Sequence, residues 1–344
     1  MGSYEPVKTA ISRSGTNRSD IDAIFKNFKA ARLNFELKAE NDVVLPDYKG
    51  STFRGAFGHI FKDVMCVSHS GNCEECSFDK VCMFKKIFDS PPPSNSERLR
   101  KYSAVPHPYV IEPPLDDKNF YKKNEIIKFS LILIGQAIDL FPYFAYSFGL
   151  AGKKGIGKMK KGKFIILRII NDKDQAVLYD YRNDELKALN NYYIMQDFMD
   201  SYDASKYSVS LKFITPTRIV FNEKLVSELK FHIYIRNVLR RISNLNFFHC
   251  GSTEENNNAE PELDFNYYIE KSLEIGAKGS LKWYSFDRYS NRQKTHMKLS
   301  GFMGDIIFEK VPSEFFWIIK LGELIHVGKN TTFGHGKYSI VSIV

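Results

Sequence analysis

The chain has 344 residues, 43% of them apolar, which is enough for two domains of ordinary size with separate cores. Lys and Arg outnumber Asp and Glu by 49 to 40, and the formal charge of +9 favours an anionic partner, either nucleic acid or an acidic membrane surface. No apolar stretch is long enough to cross a bilayer. Residues 1–25 are polar and lack the apolar core of a secretion signal, so we expect a flexible N-terminus on a cytoplasmic protein.

The first half of the chain predicts five regular elements in order. Alternating apolar and polar residues predict a strand at 31–37. The stretch STFRGAFGHIFKDVMC predicts a helix at 51–66, with Ser51 as its N-cap and apolar residues along one face. A strand at 125–138 and a short aromatic helix at 140–150 follow, and then come the basic loop GLAGKKGIGKMKKGK and the strand FIILRII.

The second half repeats this order without repeating the sequence. It predicts a strand at 208–220, a helix at 228–246, two strands in SLKWYSF and HMKLSGFMGDIIFE, a helix at 313–325, the loop HVGKNTTFGHG and a last strand. A β-α-β-β-α-β order is that of the ferredoxin-like fold, which is also the scaffold of RNA-recognition domains. The sequence therefore predicts an α+β protein with two tandem ferredoxin-like domains, at 26–180 and 200–344.

A cysteine cluster interrupts the first predicted domain, with the spacing C-x6-C-x2-C-x5-C. A C-x2-C pair can present two thiolates to one metal ion, and two further cysteines complete a tetrahedral shell. Structural zinc is the first interpretation of this small insertion at 66–82, while an iron–sulfur cluster and unligated thiols remain open. Such a site would stabilise the fold, and it would have no open coordination position for catalysis. The predicted ligands are Cys66, Cys73, Cys76 and Cys82.

The two glycine-rich loops occupy equivalent places in the two halves. Glycine lets backbone N–H groups converge on an anion, and lysine adds positive charge. A dinucleotide-binding loop would follow a strand and precede a helix, which is the reverse of the order here. The loops are therefore either packing turns or clamps on the phosphate backbone of a nucleic acid. The predicted contacts are Lys153, Lys154, Lys158, Gly328, Thr331, Thr332, Gly334, His335 and Gly336.

A third basic stretch, RYSNRQKTHMK, places an aromatic residue and a histidine among its cations. Cations hold phosphates while aromatic rings stack on unpaired bases, and a solvated hairpin loop is the alternative interpretation. The RNA contacts predicted here are Arg288, Arg292, Lys294, His296 and Lys298, to which Arg54 of the first helix is added.

Together these pieces resemble the CRISPR-associated repeat-processing endoribonucleases of the RAMP superfamily, in the branch with a cysteine cluster. The resemblance rests on GSTFRGAFGHIFK, the cysteine run, VPHPYVIEPP, LKFITPTRIV, RYSNRQ and, above all, LGELIHVGKNTTFGHGKY. It covers the chain from about residue 50 to the end and implies two adjoining ferredoxin-like folds in a prokaryotic cytoplasmic enzyme. The implied partner is CRISPR repeat RNA, cut to guide RNA; an effector complex and a homodimer are left open, and no membrane partner is expected.

The resemblance also implies cleavage without a catalytic metal. The ribose 2′-OH attacks the adjacent phosphorus, leaving a 2′,3′-cyclic phosphate and a 5′-OH, so a base, an acid and a stabilising cation are needed. Histidine suits the first two roles. The candidates are His59, on the first helix where relatives often place a catalytic histidine, and His326 at the C-terminal loop, with Lys62 and Lys329 for charge stabilisation. The alternatives are a non-catalytic RAMP-type RNA-binding subunit and a zinc-stapled scaffold of a larger complex.

Overall fold

The structure is a computed structural model that describes residues 18–68, 73, 75–92, 96, 98–99, 102–200, 203, 205–251, 263–290 and 295–344, with the backbone alone for 80, 287–290 and 295–298. The described helices are α1 Arg18–Ile24, α2 Gly50–Met65, α3 Phe141–Lys154, α4 Phe231–His249, α5 Phe265–Ser272 and α6 Phe316–Ile325. The described strands are β1 Lys29–Ala39, β2 Val43–Val44, β3 Tyr109–Glu112, β4 Phe120–Tyr121, β5 Ile126–Ile134, β6 Phe164–Asn171, β7 Val177–Asp180, β8 Glu185–Leu186, β9 Tyr193–Ile194, β10 Lys206–Thr217, β11 Val220–Phe221, β12 Lys224–Leu225, β13 Gly276–Ser290, β14 Thr295–Pro312 and β15 Tyr338–Ile343.

The N-terminal half forms a sheet in the order β3-β5-β1-β6-β7-β8, with β9 added beside the start of β1. Strand β1 pairs antiparallel with both β5 and β6, and its buried residues alternate with partly exposed ones, as its sequence pattern predicts. Helices α2 and α3 cover the apolar face, where the ring of Phe57 stacks on Phe144 and Phe148 at centroid distances of 4.9 and 5.1 Å. The core of this domain lies between that sheet face and the two helices.

The C-terminal half forms a four-stranded sheet in the order β13-β14-β10-β15. Its apolar face contributes Phe308 to a core with Tyr234 of α4 and Trp317 of α6. Strands β13 and β14 form a hairpin of 15 and 18 residues, longer than the two strands predicted from sequence. The side chains of β13 from Gly276 to Ser285 are exposed or half-exposed on both faces, so the apolar alternation that reveals a strand is absent there.

The two domains share a buried seam. Val110 of β3, with Ile132 and Ile134 of β5, belongs to the same apolar cluster as the residues of α4. Gly135 has φ +57°, and a Cβ there would lie 2.0 Å from the carbonyl oxygen of His249 at the end of α4. Only glycine permits that approach, so the end of β5 is fitted directly against the C-terminal domain.

Two local predictions are corrected by the structure. Part of the N-terminus predicted to be flexible, Arg18–Ile24, forms α1 and buries Ile21 against the C-terminal core. Ser51 does not cap α2: the helix begins at Gly50, the N-cap residue is Lys49, and no side chain caps the first turn. Among the described helices, none combines the length and the apolar character needed to cross a membrane.

Candidate active site and nucleic-acid interface

His59 lies on the exposed face of α2. Gly55 is four residues earlier on the same face, and a Cβ built there would have no heavy atom within 4 Å. Because helical side chains lean toward the helix N-terminus, the imidazole lies over the turn that contains Gly55. One turn later, Asp63 Oδ2 is 3.3 Å from Nζ of Lys154 in α3. The exposed histidine therefore lies between an open patch of helix backbone and the first glycine-rich loop.

Residues 153–163 form a basic projection that we call the lysine loop. An antiparallel bridge between Ile156 and Gly162 closes it, and Met159 near its tip is 75% exposed. Gly157 has φ +74° and packs on the carbonyl of Val44, so this turn requires glycine for its backbone. The loop has no acidic residue, and all of its lysines are exposed, so it presents a concentrated positive charge. These lysines are Lys153, Lys154, Lys158, Lys160, Lys161 and Lys163.

Residues 326–337 form the second glycine-rich loop, which we call the C-terminal loop, and it is packed in the seam between the domains. Gly334 has φ +83°, and a Cβ there would lie 2.4 Å from Cδ of Pro113, just after β3. The carbonyl of Val327 would be still closer to a Cβ at Gly336, whose φ is +75°. These glycines serve close packing between the domains and do not form an open anion cradle.

The burial of the C-terminal loop does not favour several predicted RNA contacts, which stay predictions. The buried residues have no exposed face for RNA in this arrangement: Thr331, Thr332, Gly334, His335 and Gly336. Gly328 is half-buried and Lys329 is exposed, so contacts at these two positions stay predictions.

Arg54 connects α2 to the C-terminal loop. Its Nε donates to Oγ1 of Thr332 at 3.2 Å, and its guanidinium lies over the rings of Phe88 and Phe333 at 4.3 and 4.7 Å. The hydroxyl of Tyr48 donates to the carbonyl of Phe333 at 2.8 Å. Arg54, predicted to contact RNA, is therefore held in the seam, about one and a half helical turns before His59.

His326 is fully buried, with Nδ1 2.9 Å from the carbonyl of His335 and Nε2 2.8 Å from Oε1 of Glu112. Burial lowers the pKa of His326, while the Glu112 carboxylate acts against this. Glu112 Oε2 also accepts from Lys337 at 2.8 Å and from Arg32 at 2.6 Å. Burial tends to raise the pKa of Glu112, but His326 and the two cations hold it well below its usual range.

This buried network leaves His326 without access to a substrate, so the geometry does not favour its predicted role as an acid or base. Glu112 was missed from the sequence. The one signal was an acidic residue ending the apolar run YVI, because an acid in a buried strand requires a partner.

The four clustered cysteines line one small cavity of about 20 Å³, together with Lys62. Ser68 Oγ lies 3.7 Å from Sγ of Cys66 and 3.6 Å from Sγ of Cys76. In the described part of the chain, no three Cys, His, Asp or Glu side chains stand in a metal-binding arrangement. The four thiols thus line the same cavity, but the described side chains do not have the geometry of a coordination shell. Lys62, predicted to stabilise the phosphorane, lies at this cavity.

The described parts of the RYSNRQKTHMK stretch are the end of β13 and the start of β14. Arg288, His296 and Lys298 have strand backbone there, but their side chains, like all of Arg292 and Lys294, lie outside the described part of the chain. Their RNA contacts stay predictions. Nearer the base of the hairpin, Trp283 is 46% exposed and Tyr284 is 42% exposed, and neighbouring strand residues point to opposite faces. Sequence reasoning did not single out these two rings, which offer stacking surfaces for unpaired bases.

Two family models match the chain, one in each half. A family model described as an N-terminal domain matches residues 28–191, and the model of the CRISPR-associated endoribonuclease Cas6 matches residues 211–338. An uncharacterized protein of Archaeoglobus fulgidus is 22% identical over 121 residues, which are 35% of this chain and 40% of that protein. The chain thus matches about two fifths of the length of this curated relative.

Several solved structures share the architecture. A Cas6 product complex is 12% identical with a TM-score of 0.54, covering 91% of this chain and all of that chain. Thermus thermophilus Cas6 is 12% identical with a TM-score of 0.51, covering 91% and 99%. A partial Cas6-RT-Cas1–Cas2 complex is 11% identical with a TM-score of 0.53, covering 93% of this chain and 47% of that one. These likenesses concern the fold, and they confirm the prediction of two tandem ferredoxin-like domains. The C-terminal domain, residues 211–338, is the part of the chain that matches the family model of the CRISPR-associated endoribonuclease Cas6.

Proposed function

We propose that this protein is an endoribonuclease that cuts CRISPR precursor RNA within its repeats to produce guide RNA. The observation that carries this proposal is the exposed His59 on α2, joined to the lysine loop through the pair of Asp63 and Lys154. The lysine loop offers several cations to successive phosphates, which places a nucleic-acid backbone beside a histidine. The match of residues 211–338 to the Cas6 endoribonuclease model supports the reaction class, and the exposed rings of Trp283 and Tyr284 support binding of unpaired bases.

The proposed reaction uses the RNA's own 2′-OH as nucleophile. The 2′ oxygen loses its proton and attacks the adjacent phosphorus, the bond from phosphorus to the 5′ oxygen breaks, and that oxygen takes a proton. We assign proton transfer at the 2′-OH to His59, since of the two predicted catalytic histidines it is the exposed one. Positive charge near the phosphorane comes from the lysine loop, while Lys329 stays a prediction for this role. Side chains supply the base and the charge, so no catalytic metal is needed.

The test is cleavage of end-labelled repeat RNA in EDTA, beside the same RNA with each 2′-OH in turn replaced by hydrogen. We expect one cut that survives EDTA and disappears with a single deoxy substitution. His59→Ala should slow cleavage by about 10²–10⁴-fold with little loss of RNA affinity, the range for general acid–base catalysis. His232→Ala, a half-buried histidine on α4, is the matched control. Wild-type rates in His59→Ala would refute the assignment.

A second function, a non-catalytic RNA-binding subunit, is favoured by one observation: the other predicted catalytic histidine, His326, is buried with both ring nitrogens engaged. Tight, salt-dependent binding of repeat RNA without any cut would establish this alternative. Association with an effector complex and formation of a homodimer stay predictions.

We also propose that the cysteine cavity holds a structural zinc ion. The support is its donor set, because four thiols around one cavity match the usual zinc ligands. The ion would hold the insertion to the end of α2 and take no part in cleavage. Mass spectrometry of the purified protein should find one zinc per chain, which Cys73→Ser with Cys76→Ser removes and Cys250→Ser retains. Absence of stoichiometric zinc and iron from the wild type would refute a metal staple.

A further inference from the structure

One buried carboxylate joins four parts of the fold. Glu112, at the end of β3, is 4% exposed and accepts from three cationic or ring N–H groups. Arg32 lies on β1 of the same N-terminal sheet, whereas His326 ends α6 and Lys337 ends the C-terminal loop. Two of the three donors therefore come from the C-terminal domain, and Glu112 connects the two domains electrostatically.

The backbone of His326 shows that its position is fixed by this contact. Its φ of 65° and ψ of 169° lie in a region that essentially only glycine adopts. A histidine persists in such a conformation when the surrounding structure over-determines it. Here the ring bridges the His335 carbonyl and Glu112, and both partners are acceptors. Because a carboxylate only accepts, Nε2 of His326 carries a proton in the contact with Glu112.

The C-terminal loop is firmly attached to its own domain. Thr215 of β10 donates through Oγ1 to the carbonyl of Gly334 at 2.7 Å and accepts from the backbone N–H of Lys337 at 2.9 Å. Consequently, the bonds to Glu112 hold the loop, and with it the C-terminal domain, against β3. On its other side the loop holds Arg54 through Thr332.

We propose that Glu112 is a positioning residue for RNA cleavage. Through His326 and Lys337 it fixes the C-terminal loop, and the loop fixes Arg54 and the N-terminal turns of α2. Those turns carry His59 five residues further on, so its place relative to bound RNA depends on this contact. The effect on cleavage rests on the proposed function, whereas the effect on the loop does not.

The test compares Glu112→Gln with Glu36→Gln. Glu36 is the matched control, because it accepts from Lys128 at 2.9 Å and from Arg168 at 2.8 Å within the N-terminal sheet alone. The amides of Phe333 and Gly334 donate within the C-terminal loop, and that of Gly336 donates to Pro216 of β10. Their hydrogen exchange should become at least tenfold faster in Glu112→Gln only. Unchanged exchange at these amides would overturn the positioning role.

The second readout is the single-turnover cleavage rate at saturating RNA. It should fall at least tenfold in Glu112→Gln, with RNA affinity within threefold of wild type, and stay at the wild-type rate in Glu36→Gln. Thr332→Val, which removes the acceptor of Arg54, should slow cleavage non-additively with Glu112→Gln. A wild-type rate for Glu112→Gln, or additive effects, would overturn the link to cleavage. If the wild type itself does not cut, the proposed function fails, while the exchange result still decides the positioning of the loop.

Discussion

The lysine loop and the C-terminal loop have similar compositions and opposite environments. Each is rich in glycine and lysine, follows a helix and precedes a strand. The lysine loop projects into solvent with every lysine exposed, whereas the C-terminal loop is buried against β3 with Lys337 paired to Glu112. Glycine is required for the same reason in both loops, because Gly157 and Gly334 each have a positive φ and lie in close contact with other segments of the protein. The difference comes from what surrounds the loop: one faces solvent, and the other faces a second domain.

Glu112→Gln should affect the C-terminal loop most. Removing the charge of buried Glu112 leaves half-buried Lys337 and Arg32 uncompensated, and the loss should be at most that of a broken, fully buried ion pair, about 3–5 kcal/mol. The folded-state pKa of Glu112 lies below its unfolded value of about 4.3, so its contribution is complete above that pH and is lost as the pH falls below it. The gap between the unfolding free energies of wild type and variant should therefore be constant from pH 6 to 8, to within about 1 kcal/mol, and shrink in acid. A gap that grows in acid would contradict this ionisation.

Gly334→Ala should come next in size. A left-handed backbone costs an alanine about 1–2 kcal/mol, and the overlap with Pro113 adds about 1–3 kcal/mol. The denaturation midpoint should fall markedly, while Gly149→Ala, where the nearest atom to the new Cβ is 3.9 Å away, should not lower it. An unchanged midpoint for Gly334→Ala would mean that the C-terminal loop is not wedged in the seam.

Removing charge from the lysine loop should weaken RNA binding without affecting folding. In Lys158→Ala with Lys160→Ala and Lys161→Ala, we expect at least a tenfold loss of affinity at moderate salt. The slope of log affinity against log salt should decrease by about 2, from about 0.7 for each single-strand phosphate contact. The control removes three exposed lysines elsewhere, Lys123, Lys187 and Lys224. Equal losses in both triple variants would show that only net charge matters.

The smallest effect concerns the open patch beside His59. Alanine should stabilise α2 at Gly55 and α3 at Gly149 by up to about 1 kcal/mol each, because both are helix-interior glycines with room for a Cβ. Only Gly55→Ala should slow cleavage, by several-fold, since its methyl group occupies the space where RNA would approach His59. Equal cleavage rates in the two variants would place the RNA elsewhere.

Much of the fold could be predicted because its signals are local. Alternation identified β1 and β10, and apolar helical spacing identified α2 and α6. The β13–β14 hairpin was underestimated because an exposed edge strand lacks that alternation. Helix α1 was missed because its seven residues bury little besides Ile21, and its packing is decided by the distant C-terminal core.

The site was less predictable because its decisive contacts are remote in sequence. Glu112 lies 214 residues from His326 and 225 from Lys337, so no local pattern joins them. When that contact is not known, the position of His326 in a basic, glycine-rich loop suggests a catalytic histidine. His59 was singled out through the family resemblance, and its position off the apolar face of α2 follows from its spacing relative to Phe57 and Phe61.

The most direct test of the contrast between the loops is lysine footprinting of the wild-type protein with and without repeat RNA, read by mass spectrometry. We predict that RNA protects the lysines of the lysine loop, leaves Lys187 and Lys224 unchanged, and does not alter the low reactivity of Lys337, which is half-buried and paired to Glu112. Protection confined to the C-terminal loop, with the lysine loop fully reactive in the complex, would contradict the account and return RNA recognition to the loop that the structure buries.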